Sequence, residues 1–159
     1  EKDEDFDSLL SDRFLKQVDL ALKGELNIWN ENIGGCLSLI LLLDQFTRNI
    51  FRDTPKAFEG DFQALDLSLD AIKKDYLTEK NSGWRHFLLM PLMHSENLAI
   101  QEMSLPLFQH YTNEKTYTFA KRHHDIIRRF SRFPHRNQLL GRVSSIEEDM
   151  FLAEPGSSF

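Results

Sequence analysis

Apolar residues recur at intervals of three and four along almost the whole chain, and runs of β-branched residues are missing. That pattern predicts helices and no sheet. About seven helices are expected. The first covers about 5–23 and ends at Gly24, a residue suited to the left-handed backbone of a helix stop. The second covers about 34–51. The third starts at Asp53-Thr54-Pro55, where Thr54 can cap and Pro55 suits the first helical position. Its apolar stripe is Phe58, Phe62, Leu65, Leu69 and Ile72. The fourth covers about 83–102, with Pro91 as a kink or break. The fifth covers about 115–131, and a short sixth runs from Pro134 to near Gly141. The seventh opens on Ser144 and Glu147 at capping-box spacing and ends before Pro155. Residues 154–158 read as loop. The whole chain, 1–159, is therefore read as one all-α domain, its helices stacked in antiparallel pairs as an α-solenoid-like array or a compact bundle.

Helix faces then pick out candidate chemistry. With Asp44 at zero, Arg48 falls at about 40°, Arg52 at about 80°, Gln45 at about 100° and Asn49 at about 140°. These five polar residues share one face, opposite Leu39, Leu43, Phe46 and Ile50. The face has no Lys or Glu, and Asp, Gln, Asn and Arg are side chains suited to fixed hydrogen-bond geometry. It reads either as a structured polar network or as an ordinary solvated face with an Asp44–Arg48 ion pair. On the fifth helix His123 lies amid Phe119, Ala120, Ile126, Ile127 and Phe130, and so faces inward, as a satisfied core histidine or as a base reaching a pocket. On the fourth, His94, Leu98 and Gln101 share a face and Glu96 points away. Pro134-His135-Arg136-Asn137 sets His135 and Arg136 in the first turn of a helix, where free N–H groups favour an anion. Phe46-x-Arg48-Asn49, with Arg52 and Thr54 following, is echoed by Phe133-x-x-Arg136-Asn137, with Arg142 and Ser144 following.

Composition narrows the class. The 159 residues are 41% hydrophobic and 28% charged, with 13 Phe, which describes a globular chain with an aromatic-rich core. The single cysteine, Cys36, rules out an internal disulfide and points to a reducing, cytoplasmic location. No apolar run approaches the length of a membrane span, and none resembles a signal peptide. The net charge is −6, which argues against wholesale nucleic-acid binding. Yet residues 121–142 carry seven bases and three histidines against Asp125 alone, while residues 1–31 carry nine acids against four bases. The basic segment either attracts an anion or pairs with the acidic first helix. No Cys cluster, His-Glu-x-x-His or glycine-rich phosphate loop is present, so neither metal nor cofactor is expected.

Several segments resemble the domain-of-unknown-function family 924. They are Leu42-Leu43-Asp44-Gln45-Phe46-x-Arg48-Asn49-x-Phe51-Arg52, Met93-His94-Ser95-Glu96, Arg122-His123-x-Asp125-Ile126-Ile127, Arg132-Phe133-Pro134-His135-Arg136-Asn137-x-x-Leu140-Gly141-Arg142, and the ending from Phe151 to Phe159. The resemblance covers nearly the whole chain. It implies an all-helical, tetratricopeptide-repeat-like α-α superhelix in a bacterial-type cytoplasmic protein, and no particular activity. Thr47 stands where the family usually has Pro, and Ser131 where it usually has Gly. A proline at 47 would break the helix, so residues beyond 46 are where a regular helical projection is expected to fail. The family's usual tryptophan-rich opening segment is absent, with any pocket wall it supplies.

Two main functions fit. One is a pocket for an anionic small molecule, with Asp44, Gln45, Arg48, Asn49, Arg52, Arg136, Asn137 and Arg142 as binding groups. His94, His123 and His135 would supply hydrolase-like acid–base chemistry. The other is a tetratricopeptide-like module that binds a peptide or protein, its polar motifs purely structural. RNA binding through 121–142 is a weaker third.

Overall fold

A computed structural model describes residues 3–157, and the outermost two residues at each end, including Ser158 and Phe159 of the closing motif, lie outside them. The α-helices are α1 (Glu4–Leu22), α2 (Ile33–Ile40), α3 (Thr47–Ile50), α4 (Asp61–Lys73), α5 (Ser82–His94), α6 (Leu98–Tyr111), α7 (Glu114–Phe130) and α8 (Ile146–Leu152). A π-helical segment, Leu41–Phe46, joins α2 to α3 with αR backbone at both junctions, so the three form one rod. Counted that way there are seven helices and no strand among the described residues.

The rod is the axis of the packing. Its Leu39 and Leu43, both at most 2% exposed, meet Val18 and Ala21 of α1 and Ala64 of α4. Its Cys36 and Ile40 meet Leu88, Leu89 and Leu92 of α5 and Phe108 of α6. Beyond these, α4 packs on α5, α5 on α6 and α6 on α7. Short links, Ser95–Asn97 and Thr112–Asn113, reverse the chain between α5, α6 and α7, so α5 and α7 run the same way. A third cluster, Ile126, Ile127 and Phe133 with Phe130 and Phe151, ties α7 to the C-terminal part.

Four boundaries differ from the sequence pattern, each for a local reason. Pro91 does not break its helix, and α5 runs through it. A mid-helix proline costs about 3 kcal/mol. Leu88, Leu89, Leu92 and Met93 around it are at most 3% exposed, and each buried side chain of this size returns about 1.5–3 kcal/mol. The break falls at Ser95–Asn97, making α6 a separate helix, so His94, Leu98 and Gln101 share no helical face. Asn97 accepts the N–H groups of Ala99 (2.9 Å) and Ile100 (3.3 Å), while Gln101 donates to the carbonyls of Met93 (2.7 Å) and Ser95 (2.8 Å). Asn81, Asn97 and Asn113 cap α5, α6 and α7 in the same way, evenly spaced along the chain.

The expected third helix is interrupted. Pro55–Phe58 is a short 3-10 helix, Thr54 gives no side-chain cap, and α4 begins only at Asp61, which leaves Phe62 73% exposed. Pro134–Arg136 is likewise one 3-10 turn rather than a helix. The capping box sits one residue later than expected, at Ser145 and Glu148, and Ser144 instead accepts from Asn137 at 3.0 Å.

Two substitutions test this geometry. A Cβ on Gly60 would lie 2.2 Å from the Leu43 carbonyl oxygen, in the backbone of the π segment. Gly60→Ala should cost about 1–3 kcal/mol in urea unfolding. Ser131 ends α7 in the left-handed conformation at φ 59°. Ser131→Gly should raise stability, by up to about 1 kcal/mol, since an L-residue pays about that there.

Candidate functional site

The π segment sets the site. A wider helical turn displaces carbonyls from the regular ladder. Here the Leu43 carbonyl accepts from Thr47 Oγ1 (2.8 Å) and the Asp44 carbonyl from Arg48 Nη1 (2.6 Å). Asp44 itself is fully buried. Its Oδ1 lies 2.6 Å from His94 Nδ1 and 3.1 Å from Arg48 Nη1, and its Oδ2 accepts from Gln45 Nε2. Burial alone would raise this carboxyl, but His94 and Arg48 outweigh it and hold Asp44 ionised well below the usual carboxylate range. A carboxylate can only accept, so His94 Nδ1 carries the hydrogen that faces it.

A second carboxylate gathers two arginines. Asp61 at the start of α4 takes Arg48 (Nη1 to Oδ1, 2.8 Å; Nη2 to Oδ2, 3.0 Å) and Arg136 Nη1 (3.0 Å). Arg136 Nη2 also donates to the His94 carbonyl at 3.0 Å. The Arg136 guanidinium lies against two rings, 4.7 Å from the centroid of Phe58 and 4.6 Å from that of Phe133. Its Nε has no hydrogen-bond partner among the described residues, although the residue is only 6% exposed.

Gln45, Arg48, Phe58, His94 and Arg136 from these networks line one cavity of about 950 Å³. That is near the upper end for a small-molecule site. From α5 come Ser82, Gly83, His86, Met90, Met93 and His94; from α7 come Lys115, Thr116, Phe119, Arg122 and His123. Gln45, Arg48, Arg52, Asp53, Ala57 and Phe58 form another wall, with His135, Arg136 and Leu139 on the remaining side. His94 and His123 rings stand 6.2 Å apart, and His123 packs edge-on to Phe133 at 5.5 Å. His123 Nδ1 donates to the Phe119 carbonyl at 2.8 Å. Burial, then the neighbouring His94, pushes His123 down to about 3. Burial, then the adjacent Arg136 charge, pushes His135 down to about 4. Burial also lowers His86, whose Nδ1 lies 3.2 Å from Thr116 Oγ1. Among the described residues no group of three or more His, Cys, Asp and Glu is arranged to hold a metal ion.

The family described as bacterial protein of unknown function (DUF924) matches residues 1–156. The chain belongs to this family. A solved structure of a protein of unknown function from Agrobacterium tumefaciens has the same fold, with a TM-score of 0.91 and 36% sequence identity over 96% of this chain and 86% of that one. No curated protein matches the chain.

Within this DUF924 chain the sequence-selected residues divide. Gln45, Arg48, Arg52, Arg136, His94, His123 and His135 line the cavity, with Asp44 directly behind His94 and Arg48. Asn49, Asn137 and Arg142 do not line it. Asn49 donates to Asp7 of α1 (2.8 Å) away from the cavity, whereas Arg52 pairs with Asp7 (2.6 Å) and still lines it, so Asn49 is the one of the five polar residues that leaves the expected face. The π segment rotates the helix between Asp44 and Asn49 away from a regular projection. Arg142 makes a two-point pair with Glu96 (2.7 and 3.0 Å), and Glu96 accepts the Phe133 N–H (2.7 Å), so this carboxylate is a brace rather than a surface group. Asn137 holds Ser144.

The anion site expected at a helix N-terminus near His135 is not formed. Only a 3-10 turn is there, and the Arg136 and Asn137 N–H groups bond to the carbonyls of Phe133 and Pro134. In the basic segment, Arg129 pairs with Glu147, Arg132 with Glu148, Arg136 with Asp61 and Arg142 with Glu96. These partners lie outside α1. Asp61, Asp53, His86, Lys115 and Phe119 belong to the site or its wall but were not selected from sequence. Asp61 sits in a helix start that the pattern ran through, and Lys115 and Phe119 share with His123 the spacing of one face of α7.

Two buried neutral histidines make stability depend on pH. His123 and His135 have depressed values when folded, so below an unfolded value of about 6.5 the unfolded chain binds more protons. Stability should therefore fall as pH drops from about 6.5 to 5, before carboxylates with unfolded values near 4 contribute. His123 and His135 should contribute nearly two protons to the wild-type slope, about 2.7 kcal/mol per pH unit, with His86 adding in the same direction, and His123→Phe should remove about half of the two-proton share. Urea unfolding at pH 7.5, 6 and 5 measures the slope independently of any fixed loss from the substitution.

Proposed function

We propose that the cavity binds an anionic small molecule, carrying a carboxylate or a phosphate, and that Asp44 and His94 act on it as an acid–base pair. The observation that carries this reading is the charge of the wall. Among the described residues Arg48, Arg52, Lys115, Arg122 and Arg136 face the cavity and Asp53 is the one carboxylate that does so, in a chain of net charge −6. Lys115 and Arg122 have no ion-pair partner among the described residues, and neither does the Nε of Arg136. A basic concavity on an acidic protein concentrates anions.

The chemistry follows from tautomer and orientation. Asp44 accepts from His94 Nδ1, which fixes the ring and leaves Nε2 to take a proton from a substrate hydroxyl or a water. Asp44 would stabilise the imidazolium formed, as in other carboxylate-oriented histidines. This is hydrolase-like chemistry, with Arg48 and Arg136 holding negative charge beside the base. The whole of 1–159 is read as one helical unit. The buried free thiol of Cys36 fits a reducing, cytoplasmic setting.

A second reading, a tetratricopeptide-like peptide groove, is supported by the stacked pairs α4 to α7 and by Phe119, 37% exposed on the cavity wall. The depth of Arg136 and Asp44 favours the small molecule.

Titration calorimetry with phosphate and simple carboxylates tests binding. Arg122→Gln should weaken binding about two- to fivefold, more at low salt, and Lys115→Gln, at the far end of the cavity, by less, both with unchanged unfolding midpoints. Unaltered affinity in both variants would count against the anion reading. For turnover, His94→Gln should lower the hydrolysis of any ester or phosphate monoester found active by about 100-fold or more while affinity changes little. Full activity in that variant would remove His94 from the chemistry.

A further inference from the structure

We infer that the anion is carried on an unbranched, acyl-type chain, about eight to ten carbons long, laid along the trough between α5 and α7. This rests on the anion reading and specifies the rest of the ligand. The trough has a direction. Because α5 and α7 run the same way, His94 faces His123 at one end, and His86 faces Thr116 about two turns earlier on both helices. The charged end holds His94, Arg48 and Arg136. The opposite end holds Ser82, Thr112, Asn113 and Lys115.

Between the two ends the wall is apolar. Met90 lies one turn from His94 on α5, and Phe119 one turn from His123 on α7. Phe58, stacked on the Arg136 guanidinium, belongs to the charged end. Phe119 keeps 37% of its surface exposed with the Arg122 guanidinium 5.9 Å from its centroid, so an apolar ligand has ring surface left to bury. Flexible methionines suit a chain rather than a rigid ring system.

Size points the same way. A bare carboxylate or phosphate would fill a small part of about 950 Å³ and leave Met90 and Phe119 wet. The length of the body follows from helix geometry. His94 to His86 is eight residues of α5, about 12 Å at 1.5 Å per residue. An all-trans alkyl chain advances about 1.25 Å per bond, slightly more than extended backbone at roughly 1.1–1.2 Å. The apolar stretch thus takes about ten bonds before a longer chain reaches the polar end.

Titration calorimetry with straight-chain carboxylates from acetate to dodecanoate, and with 1-octanol, tests this on the whole protein. Affinity should rise about fourfold per added methylene, the value for full burial, and level off at eight to ten carbons. Octanol should bind at least tenfold more weakly than octanoate. Phe119→Ser, at a partly exposed position, should flatten the series while acetate affinity stays within about twofold. Equal affinities for acetate and octanoate would overturn the chain and leave the anion reading standing. Binding of phosphate but of no carboxylate would do the same. Octanol binding as tightly as octanoate would overturn the anion reading and this inference with it.

Discussion

A single buried carboxylate organises this molecule. Asp44 is fully enclosed, and an ionised carboxylate taken out of water without partners costs several kcal/mol. Its partners therefore have to be in place, and each belongs to a different packing decision. His94 is the last residue of α5, Arg48 lies just past the π segment, and Gln45 is its neighbour. Removing one partner of such a buried pair typically costs about 3–5 kcal/mol. The pairing of Asp44 with His94 thus fixes where α5 ends relative to the central rod.

From that constraint the site spreads outward. Arg48 is shared between Asp44 and Asp61, Asp61 is shared between Arg48 and Arg136, and Arg136 returns to the His94 carbonyl. The two carboxylates and two guanidinium groups balance, so Arg48 and Arg136 offer an anion fixed donors, with the Nε of Arg136 unpartnered, while the net positive charge of the wall comes from Lys115 and Arg122. Four segments of the chain are joined by charge-assisted bonds, which are roughly twice as strong as neutral ones and more directional. Gly60 admits the Leu43 carbonyl at close range, so backbone packing and electrostatics meet at the same turn.

Helix content and the importance of the Arg48 and Arg136 segments were legible in the sequence because they depend on local periodicity and on rare residue types. His123 was legible because its neighbours on the wheel are apolar. What stayed hidden depends on tertiary geometry. A π segment has no periodic signature, so a regular projection sets Asn49 on the face of Asp44, whereas it reaches Asp7 away from the cavity. Pro91 read as a break because the burial around it cannot be weighed from one segment, whereas Asn97, the true start of the next helix, carried a readable cap signal alongside Asn81 and Asn113. Asp61 and Glu96 look like ordinary helix-surface acids until their arginines arrive from elsewhere in the chain. The Arg-Asn echo proved half structural: both arginines converge on Asp61, while the two asparagines hold unrelated partners.

The central claim is that Arg48 and Arg136 form one anion-binding end of the cavity beside His94. Anomalous diffraction from crystals soaked in selenate tests it most directly. A selenium peak is expected inside the cavity, within hydrogen-bonding distance of the Arg136 guanidinium. Peaks confined to surface lysines or helix ends, with that position empty, would contradict it.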